Sequence, residues 1–390
     1  MKKKRWFTMI GSICLSLVLA ALLLPACAPV EVPEEIAKLE AEIADLEDDV
    51  AAEKTKTAAE KAKVSNLEAE IAALKKPVEV LEWNFQHTWA AGENHFFYRL
   101  RDIVGELSDG RLQLEVFSSN ELVPDMDAAE AVSTRVLDMS MIHLDQYSGT
   151  VPEGAIEQIP FLWKDLEEKA TAYFEWGITD ILAEATEDVY DGLKIVGWTI
   201  ADPGCIIFKD EFETLADLKG KIINVDDPMA SILRDNFGLS ITFFPPEEIY
   251  TALATGTLDG TEYGSEVAMT AMGLEEVGKY LMLPHYQIFW CGCYIIPEEV
   301  YNTMPDDLRA ILVEGLIAMG WHMRTTYNDM MFESREKMLK AGVTFVVLPD
   351  EDIAALSAAG LDAMADIKAT SPRCERLVNL IEESLAKFGR

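Results

Sequence analysis

From residue 78 onward, the sequence predicts an α/β fold with mostly parallel sheets. Residues 112–117 alternate apolar and polar side chains, the period-two pattern of a strand with one buried face. Residues 96–107 instead place apolar side chains at helical spacing, and such strand and helix patterns alternate along the chain. The chain has 390 residues, 49% of them hydrophobic, which is enough for two or three folding units with cores of their own.

The first 27 residues predict a leader that directs export. Basic residues at positions 2–5 precede an apolar run over 6–24, and Pro25-Ala26-Cys27 follows directly. This pattern resembles a bacterial lipoprotein signal, in which Cys27 is diacylated and more than one acyl chain anchors the protein stably. A plain membrane-spanning anchor is the alternative, because 19 mostly apolar residues nearly span a bilayer. Either arrangement places the rest of the chain outside the cytoplasm.

The chain is strongly acidic, with a formal charge of −35 that falls to −39 once the leader and its four positive charges are removed. This charge argues against nucleic acid or an anionic lipid surface as a partner, because both are negatively charged themselves. High solubility is the simplest consequence of the acidity, so net charge alone indicates no particular ligand.

Residues 28–77 predict a stalk between the anchor and the body. Apolar side chains recur at alternating intervals of three and four over 36–50 and 64–74, and both runs share one heptad register. The stripe is only two heptad positions wide, which favours a coiled coil that joins copies of the chain through residues 36–74. A lone amphipathic helix lying on the body is the alternative. As one continuous helix the segment would be roughly 60 Å long, and Pro77 would end it.

The body, residues 78–390, contains a series of predicted strands and helices. The pattern over 305–340 predicts a single helix long enough to cross from one folding unit to another. Asp227-Pro228 predicts a helix start, with Asp227 as the N-cap and Pro228 in the first turn. The predicted strands cover 80–85, 112–117, 138–142, 193–198, 222–225 and 241–244, and further helices cover 96–107 and 126–135.

Four cysteines belong to the exported body: Cys205, Cys291, Cys293 and Cys374. They form no C-x-x-C pair and have no histidine-rich neighbourhood, so the sequence does not predict a zinc site. An exported protein can form disulfides, and four cysteines allow three pairings among which the sequence does not choose. Buried free thiols are the alternative.

Six segments of the body, in order, resemble motifs of the solute-binding proteins of tripartite ATP-independent periplasmic (TRAP) transporters. No single motif is diagnostic, but the shared order and spacing extend over roughly residues 80 to 310. The segments are SDGR at 108–111, the helix and strand over 121–139, IPFLW at 159–163, LADLKGK at 215–221, EIYTALATGTLDG at 248–260 and VGKY at 277–280.

The resemblance implies a two-lobed periplasmic-binding-protein fold with a long helix that crosses the lobes. The first lobe would cover about residues 78–202 and 286–325, and the second about 203–285 and 326–390. Proteins of this family close their lobes around a small organic solute and deliver it to membrane permease subunits. The resemblance therefore also implies a protein that is not an enzyme and needs no cofactor.

The chain departs from the family where the charge of the ligand is recognised. Family members usually clamp a ligand carboxylate with an Arg in the strand after LADLKGK, where this chain has Asn224. An amide offers neither a positive charge nor the guanidinium fork that binds a carboxylate with two hydrogen bonds. The departure predicts a neutral or cationic solute, unless His87, His143 or Arg135 supplies the charge from another direction.

Glu262 and Tyr263 resemble a pair that helps to hold a metal ion beside the ligand in the 2-oxo-acid branch of the family. Ile288 stands where that branch has a further metal carboxylate, and hard cations require several oxygen ligands. We therefore expect no metal, with Glu262 as a hydrogen-bond acceptor in the cleft and the Tyr263 ring beside the ligand. A solvated loop position is the alternative for Glu262.

Chain position indicates the other candidate ligand residues. Ligands of open α/β sheets lie beyond the carboxyl ends of the strands, and aromatic rings there can stack on a ligand. For the histidines and aromatic residues, a purely structural role is the alternative. The candidates are Gln86, His87 and Trp89 after the first predicted strand, His143 and Asp145 after the third, and Trp198 and Tyr286 as stacking faces.

The sequence contains no G-x-S-x-G, H-E-x-x-H, G-x-x-x-x-G-K-[ST] or G-x-G-x-x-G motif. A hydrolase that uses a pair of carboxylates needs no such motif and is one alternative function. A second alternative is a lipoprotein that senses a ligand and reports its occupancy to a partner protein. Solute binding is the preferred interpretation because the six motifs support it.

Overall fold

The computed structural model describes residues 34–52, 58–74, 80–89, 91–200, 203–287 and 290–390. The chain divides into two compact units, residues 1–79 and residues 80–390. The leader, the proposed lipid site Cys27 and Ile288 lie outside the described residues. Within the described ranges, no helix combines the length and the hydropathy that crossing a membrane requires.

The first unit contains two helices that pack against each other, α1 (Glu34–Ala52) and α2 (Ala58–Leu74). Lys63 Nζ lies 2.9 Å from Glu42 Oε1, whereas 21 residues of straight helix would separate the two positions by about 31 Å. The expected single helix is therefore wrong, because the chain folds back and the apolar stripe of one helix meets that of the other. Association of copies through residues 36–74 stays a prediction.

The second unit is the α/β body, with eleven described strands and twelve described helices. The strands are β1 (Leu81–His87), β2 (Leu112–Phe117), β3 (Met139–His143), β4 (Leu193–Ile200), β5 (Ile206–Phe208), β6 (Ile222–Asn224), β7 (Ser240–Ile241), β8 (Gly260–Glu262), β9 (Tyr280–Leu283), β10 (Cys291–Pro297) and β11 (Thr344–Val347). The helices are α3 (Asn94–Leu107), α4 (Ala128–Ser133), α5 (Leu166–Ala170), α6 (Ile178–Val189), α7 (Met229–Phe237), α8 (Pro246–Thr255), α9 (Glu266–Ala271), α10 (Leu274–Val277), α11 (Glu298–Thr303), α12 (Asp306–Lys340), α13 (Asp350–Thr370) and α14 (Pro372–Lys387).

The strands form two sheets, and each sheet is the centre of one lobe. The first lobe has the order β2-β1-β3-β10-β4, and the second has β11-β9-β5-β8-β6-β7. The described sheets are mostly parallel, as expected, except that β10 and β5 run antiparallel to both of their neighbours. The chain enters each of these two strands from the other lobe. The strand therefore runs away from the cleft, whereas the neighbouring strands run toward the cleft.

Both faces of the first sheet are buried, which explains the uninterrupted apolar runs of its central strands. Along β10, Tyr294 and Ile296 join the core on one face, while Cys293 and Ile295 join the core on the other. Successive side chains of a strand point to opposite faces, so each strand serves two cores at once. The second sheet likewise has a separate core on each face.

The long helix α12 crosses from the first lobe to the second, as predicted. Leu312 and Leu316 are buried in the core of the first lobe, and Met338 is buried in the core of the second. Leu316 packs directly on β4, where a Cβ atom on Gly197 would lie only 2.7 Å from Leu316 Cδ1. Glycine at 197 therefore lets the helix approach the sheet closely.

The C-terminal helices differ from the expected second lobe, which included all of residues 326–390. In α13, Leu356 packs in the core of the second lobe, but Met364 packs in the core of the first. In α14, Leu377 and Ile381 belong entirely to the first lobe. The chain thus returns to the first lobe at its end, because α14 covers the apolar face left by α6 and the turn at 152–158.

All four cysteines of the body are buried and free. None of the three possible pairings forms, and the alternative of buried thiols is the one found. Burial raises the pKa of Cys291 well above its usual range, so the thiol stays neutral and behaves as a small core residue.

Candidate functional site: an acidic cavity between the lobes

A cavity of about 600 Å³ opens between the two lobes. It lies at the carboxyl ends of the strands, where the chain leaves each sheet and exposes side chains to the cleft. His143 ends β3, Asn224 ends β6 and Glu262 ends β8, while Trp89 and Asp226 follow two residues after β1 and β6. Both lobes therefore contribute walls, and a solute in the cavity would contact them together.

Carboxylates dominate the polar lining of the cavity. Among the described lining residues there is no Lys or Arg. A bound anion would therefore meet negative side chains without a neighbouring fixed positive charge. The lining carboxylates are Glu93, Asp125 and Asp145 from the first lobe and Asp226, Glu247 and Glu262 from the second.

Asp145 is a deeply buried acid of the cavity, with 5% of its surface exposed. Its Oδ2 accepts a hydrogen bond from Gln158 Nε2 at 2.8 Å. Its Oδ1 is buried and has no hydrogen-bond partner among the described residues. Burial raises the pKa of this carboxyl group, because a charge in a dry site lacks the solvation that water provides.

Asp226 enters the cavity from the second lobe and is half-buried. Burial raises the pKa of its carboxyl group to about 6, and the negative charges of Asp145 and Asp227 contribute to the same shift. Asp145 and Asp226 line one cavity from different lobes, so their charges repel each other when both are ionised.

Aromatic rings form much of the remaining wall: Trp89 and Trp290 from the first lobe, with Phe243, Phe244 and Tyr263 from the second. Trp89 Nε1 donates to His143 Nε2 at 3.0 Å, and the two rings are stacked. Burial lowers the pKa of His143 to about 4, so the imidazole is neutral at physiological pH and can accept this bond. Trp290 Nε1 is buried without a hydrogen-bond partner among the described residues.

The structure brings six of the ten sequence-predicted ligand residues together around the cavity. They are Trp89, His143, Asp145, Asn224, Glu262 and Tyr263. Glu262 is 5% exposed, and its Oε1 accepts a hydrogen bond from the backbone N–H of Gly264 at 2.8 Å. The solvated-loop alternative for Glu262 is therefore wrong.

Gln86 and His87 do not line the cavity. Gln86 is buried, and its Oε1 accepts from the backbone N–H groups of Leu122 and Val123 at 2.8 and 3.1 Å. His87 stacks on Phe97 with ring centroids 3.9 Å apart, and burial lowers the pKa of the histidine to about 4. Both residues hold loops and core in place, because β1 continues through residue 87 and keeps their side chains within the body.

Trp198 and Tyr286 also lie outside the cavity lining. Trp198 is half-buried and packs against the core of the first lobe. Tyr286 is completely buried in the core of the second lobe, and its hydroxyl donates to Gln158 Oε1 at 3.1 Å. Tyr286 is therefore a structural neighbour of the cavity acids and offers no stacking face to a ligand.

Several lining residues were not predicted. Asp226 could have been found, because it follows a predicted strand in the same way that Asp145 does. Phe243 lies within the stretch predicted as a strand at 241–244, of which only Ser240–Ile241 pairs, so the ring is left 72% exposed at the rim. Glu93, Asp125 and Trp290 come from short turns or a strand entrance, where the sequence gives no periodic signal.

A family model described as bacterial extracellular solute-binding protein, family 7 (DctP), matches residues 85–370. This range contains every residue that lines the cavity. The chain belongs to the DctP family. It is a TRAP-type extracytoplasmic receptor that binds a small organic solute, and the sensing and hydrolase alternatives gain no support from the comparisons.

Relatives and solved structures agree with this assignment. The chain is 26% identical over 261 residues to the 2,3-diketo-L-gulonate-binding periplasmic protein of Escherichia coli. The match covers 66% of this chain and 77% of that protein. A TRAP periplasmic solute-binding protein of Chromohalobacter salexigens with bound (S)-(+)-2-amino-1-propanol superposes with a TM-score of 0.71, at 21% identity, covering 79% of this chain and 96% of that one. A TRAP periplasmic solute-binding protein of Desulfovibrio salexigens with bound orotic acid superposes with a TM-score of 0.72 at 21% identity. The match covers 78% of this chain and 99% of that one. The predicted two-lobed fold is confirmed.

In this DctP-family receptor, Asn224 takes a structural position at the end of β6. Its Oδ1 accepts from the backbone N–H of Phe244 at 2.8 Å, and its Nδ2 donates to Thr261 Oγ1 at 3.3 Å. The amide thus ties the Phe244 loop to β8. Asn224 thus lines the cavity as an uncharged residue, at the position that the family resemblance assigns to an Arg clamp.

Arg135, His87 and His143 place no fixed positive charge on the described cavity lining. Arg135 is exposed and pairs with Glu299 at 2.7 Å, away from the cavity lining. His87 does not line the cavity, although its Nδ1 accepts a hydrogen bond from the backbone N–H of the lining residue Trp89 at 3.1 Å. Burial lowers the pKa of both His87 and His143 to about 4, so both imidazoles are neutral at physiological pH in the ligand-free protein. Because His143 lines the cavity, the alternative that it replaces the Arg clamp stays a prediction.

Among the described residues, one group of side chains has metal-binding proximity: Cys205, Glu266 and His285. It does not line the cavity. Arg335 Nε lies 2.7 Å from Glu266 Oε1, and His285 Nε2 lies 2.9 Å from Oε2. Although burial opposes it, His285 and Arg335 hold the pKa of Glu266 low, at about 2, so both oxygens of this carboxylate already have side-chain partners.

The raised pKa of Asp226 predicts a pH-dependent stability. Because the folded protein holds this proton more tightly than the unfolded chain, stability falls as pH rises from about 4 to about 6. Asp226→Asn is expected to stabilise the ligand-free protein at pH 8 by about 1–3 kcal/mol and to leave it unchanged below about pH 4. Urea unfolding at both pH values measures the difference.

Glu247→Gln is the matched control for this prediction. Glu247 lines the same cavity but is exposed, so removing its charge is expected to change stability little at either pH. Equal stabilities of the Asp226→Asn variant and the wild type at pH 8 would show that the carboxylate is not strained by burial or by Asp145.

Proposed function

We propose that this chain is a lipid-anchored receptor whose two lobes close on one neutral or cationic organic solute and pass it to the permease subunits of a TRAP transporter. The observation that carries the proposal is the cavity itself, which has walls from both lobes and no Lys or Arg among its described lining residues. The receptor binds and releases its solute without chemical conversion.

The size of the cavity and the ligands of the neighbours support this proposal. A volume of about 600 Å³ lies within the range of small-molecule pockets. The Chromohalobacter salexigens structure holds 2-amino-1-propanol, a ligand that has no carboxyl group. The same fold therefore accommodates a solute without the carboxylate that the related orotic acid complex contains.

The anchor is part of the proposal. Cys27 follows the apolar leader directly, and residues 34–74 then provide two helices before the receptor body begins at residue 80. An anchored receptor stays near its membrane permease, which raises the effective concentration of the loaded receptor there.

Lobe closure is tested with the protein produced from residue 28 onward. A thermal-shift screen of neutral, cationic and anionic metabolites first finds compounds that raise the melting temperature. Small-angle scattering with such a compound is expected to show a smaller radius of gyration, because the solute draws both walls together. A compound without a thermal effect is the control. An unchanged radius at saturating ligand would contradict capture by closure.

Replacing the proposed lipid site tests the anchor. Cys27→Ser is expected to abolish incorporation of radiolabelled fatty acid and to leave the leader uncleaved, because the thiol is the group that is acylated. Cys14→Ser, within the apolar run of the same leader, is the matched control and is expected to be labelled normally. Normal labelling of the Cys27→Ser protein would exclude a lipid anchor at this position.

A further inference from the structure

Asp145 and Asp226 face the same cavity from opposite lobes. We infer that the solute is a protonated organic amine held between these two carboxylates, so that its charge joins the lobes. The inference rests on the proposed function, since it names the ligand class of the proposed receptor.

The free oxygen of Asp145 is the first support. Gln158 fixes the carboxylate by donating to Oδ2, while Oδ1 is buried and accepts no hydrogen bond from the described residues. An ionised carboxylate can only accept hydrogen bonds, and a buried acceptor without a donor destabilises the ligand-free protein. A ligand ammonium group offers both the missing N–H donor and the opposite charge.

The position of Asp226 is the second support. It lines the same cavity as Asp145 but comes from the other lobe, so closing the lobes without a ligand brings negative charges together. Lys169, a buried cation whose charge acts on Asp145, lies 2.7 Å from Glu157 and is paired with it. An amine between Asp145 and Asp226 turns this repulsion into attraction, whereas a ligand carboxylate would add another negative charge.

The aromatic wall is the third support. Trp89, Trp290 and Tyr263 line the same cavity, and the faces of such rings attract cations. Trp290 Nε1 is a buried donor without a partner among the described residues, so the site also matches a hydroxyl or carbonyl oxygen on the ligand. The chemical class is therefore a small amine that carries an oxygen acceptor, such as an amino alcohol or an amino ketone.

Calorimetric titration with charge-matched probes tests the inference. The probes are a series of amino alcohols, the corresponding diols without the amine, and the corresponding hydroxy acids. At least one amino alcohol is expected to bind, and its diol and hydroxy acid partners are expected to bind at least tenfold more weakly. The expected tenfold ratio corresponds to the loss of one hydrogen bond to a charged group.

Three variants assign the binding to the two carboxylates. Asp145→Asn and Asp226→Asn should each weaken the amine by about tenfold or more, because an amide keeps the shape but removes the charge. Glu248→Gln makes the same charge change on an exposed residue outside the cavity lining and should leave the affinity unchanged. Circular dichroism of each variant verifies that the fold is intact.

The outcomes separate the inference from the proposed function. If only hydroxy acids or diols bind, the receptor function stands and the inference is wrong. If an amine binds equally well to both Asn variants, the assignment to Asp145 and Asp226 is wrong. If no compound of any class binds or closes the lobes, the proposed function fails and the inference fails with it.

Discussion

A buried ion pair lies next in the chain to Gln158, the residue that holds the cavity carboxylate of Asp145. Lys169 and Glu157 are each 2% exposed, and their charged atoms lie 2.7 Å apart. Glu157 also accepts from the hydroxyl of Tyr173 and from the backbone N–H of Cys291, and its carbonyl oxygen accepts from Gln287. The pair thus ties α5 to the place where the chain returns from the second lobe. Removing one partner of such a pair typically costs about 3–5 kcal/mol, because the other charge is left buried.

The orientation of Asp145 in the binding site depends on the residue that follows this ion pair. Gln158, the residue after Glu157, donates to Asp145 and accepts from Tyr286 of the second lobe. One glutamine therefore orients a cavity carboxylate of the first lobe and touches the core of the second. Because Gln158 is fully buried, Asp145 keeps one orientation and leaves Oδ1 turned away from its partner. A site held in this way has little conformational entropy to lose when a solute binds.

Much of the fold and about half of the site could be predicted from the sequence. The end of a predicted strand located Asp145, and the family resemblance located Glu262. Gln86 and His87 were predicted to line the cavity but do not, because β1 runs two residues beyond its predicted end. Within a strand, a shift of one residue moves a side chain to the opposite face of the sheet. The single long helix at 36–74 was wrong because the same heptad stripe suits one long helix or two helices packed together. Contacts between distant segments, such as Gln158 with Tyr286, leave no periodic signal.

The most direct test of a cation-binding cleft is a crystal structure of the protein with the tightest-binding solute from an unbiased metabolite screen. The account predicts a ligand nitrogen about 3 Å from both Asp145 Oδ1 and a carboxylate oxygen of Asp226, with an aromatic wall such as Trp89 or Trp290 against the ligand. A ligand carboxylate in that position, or a solute that contacts neither aspartate, would contradict it.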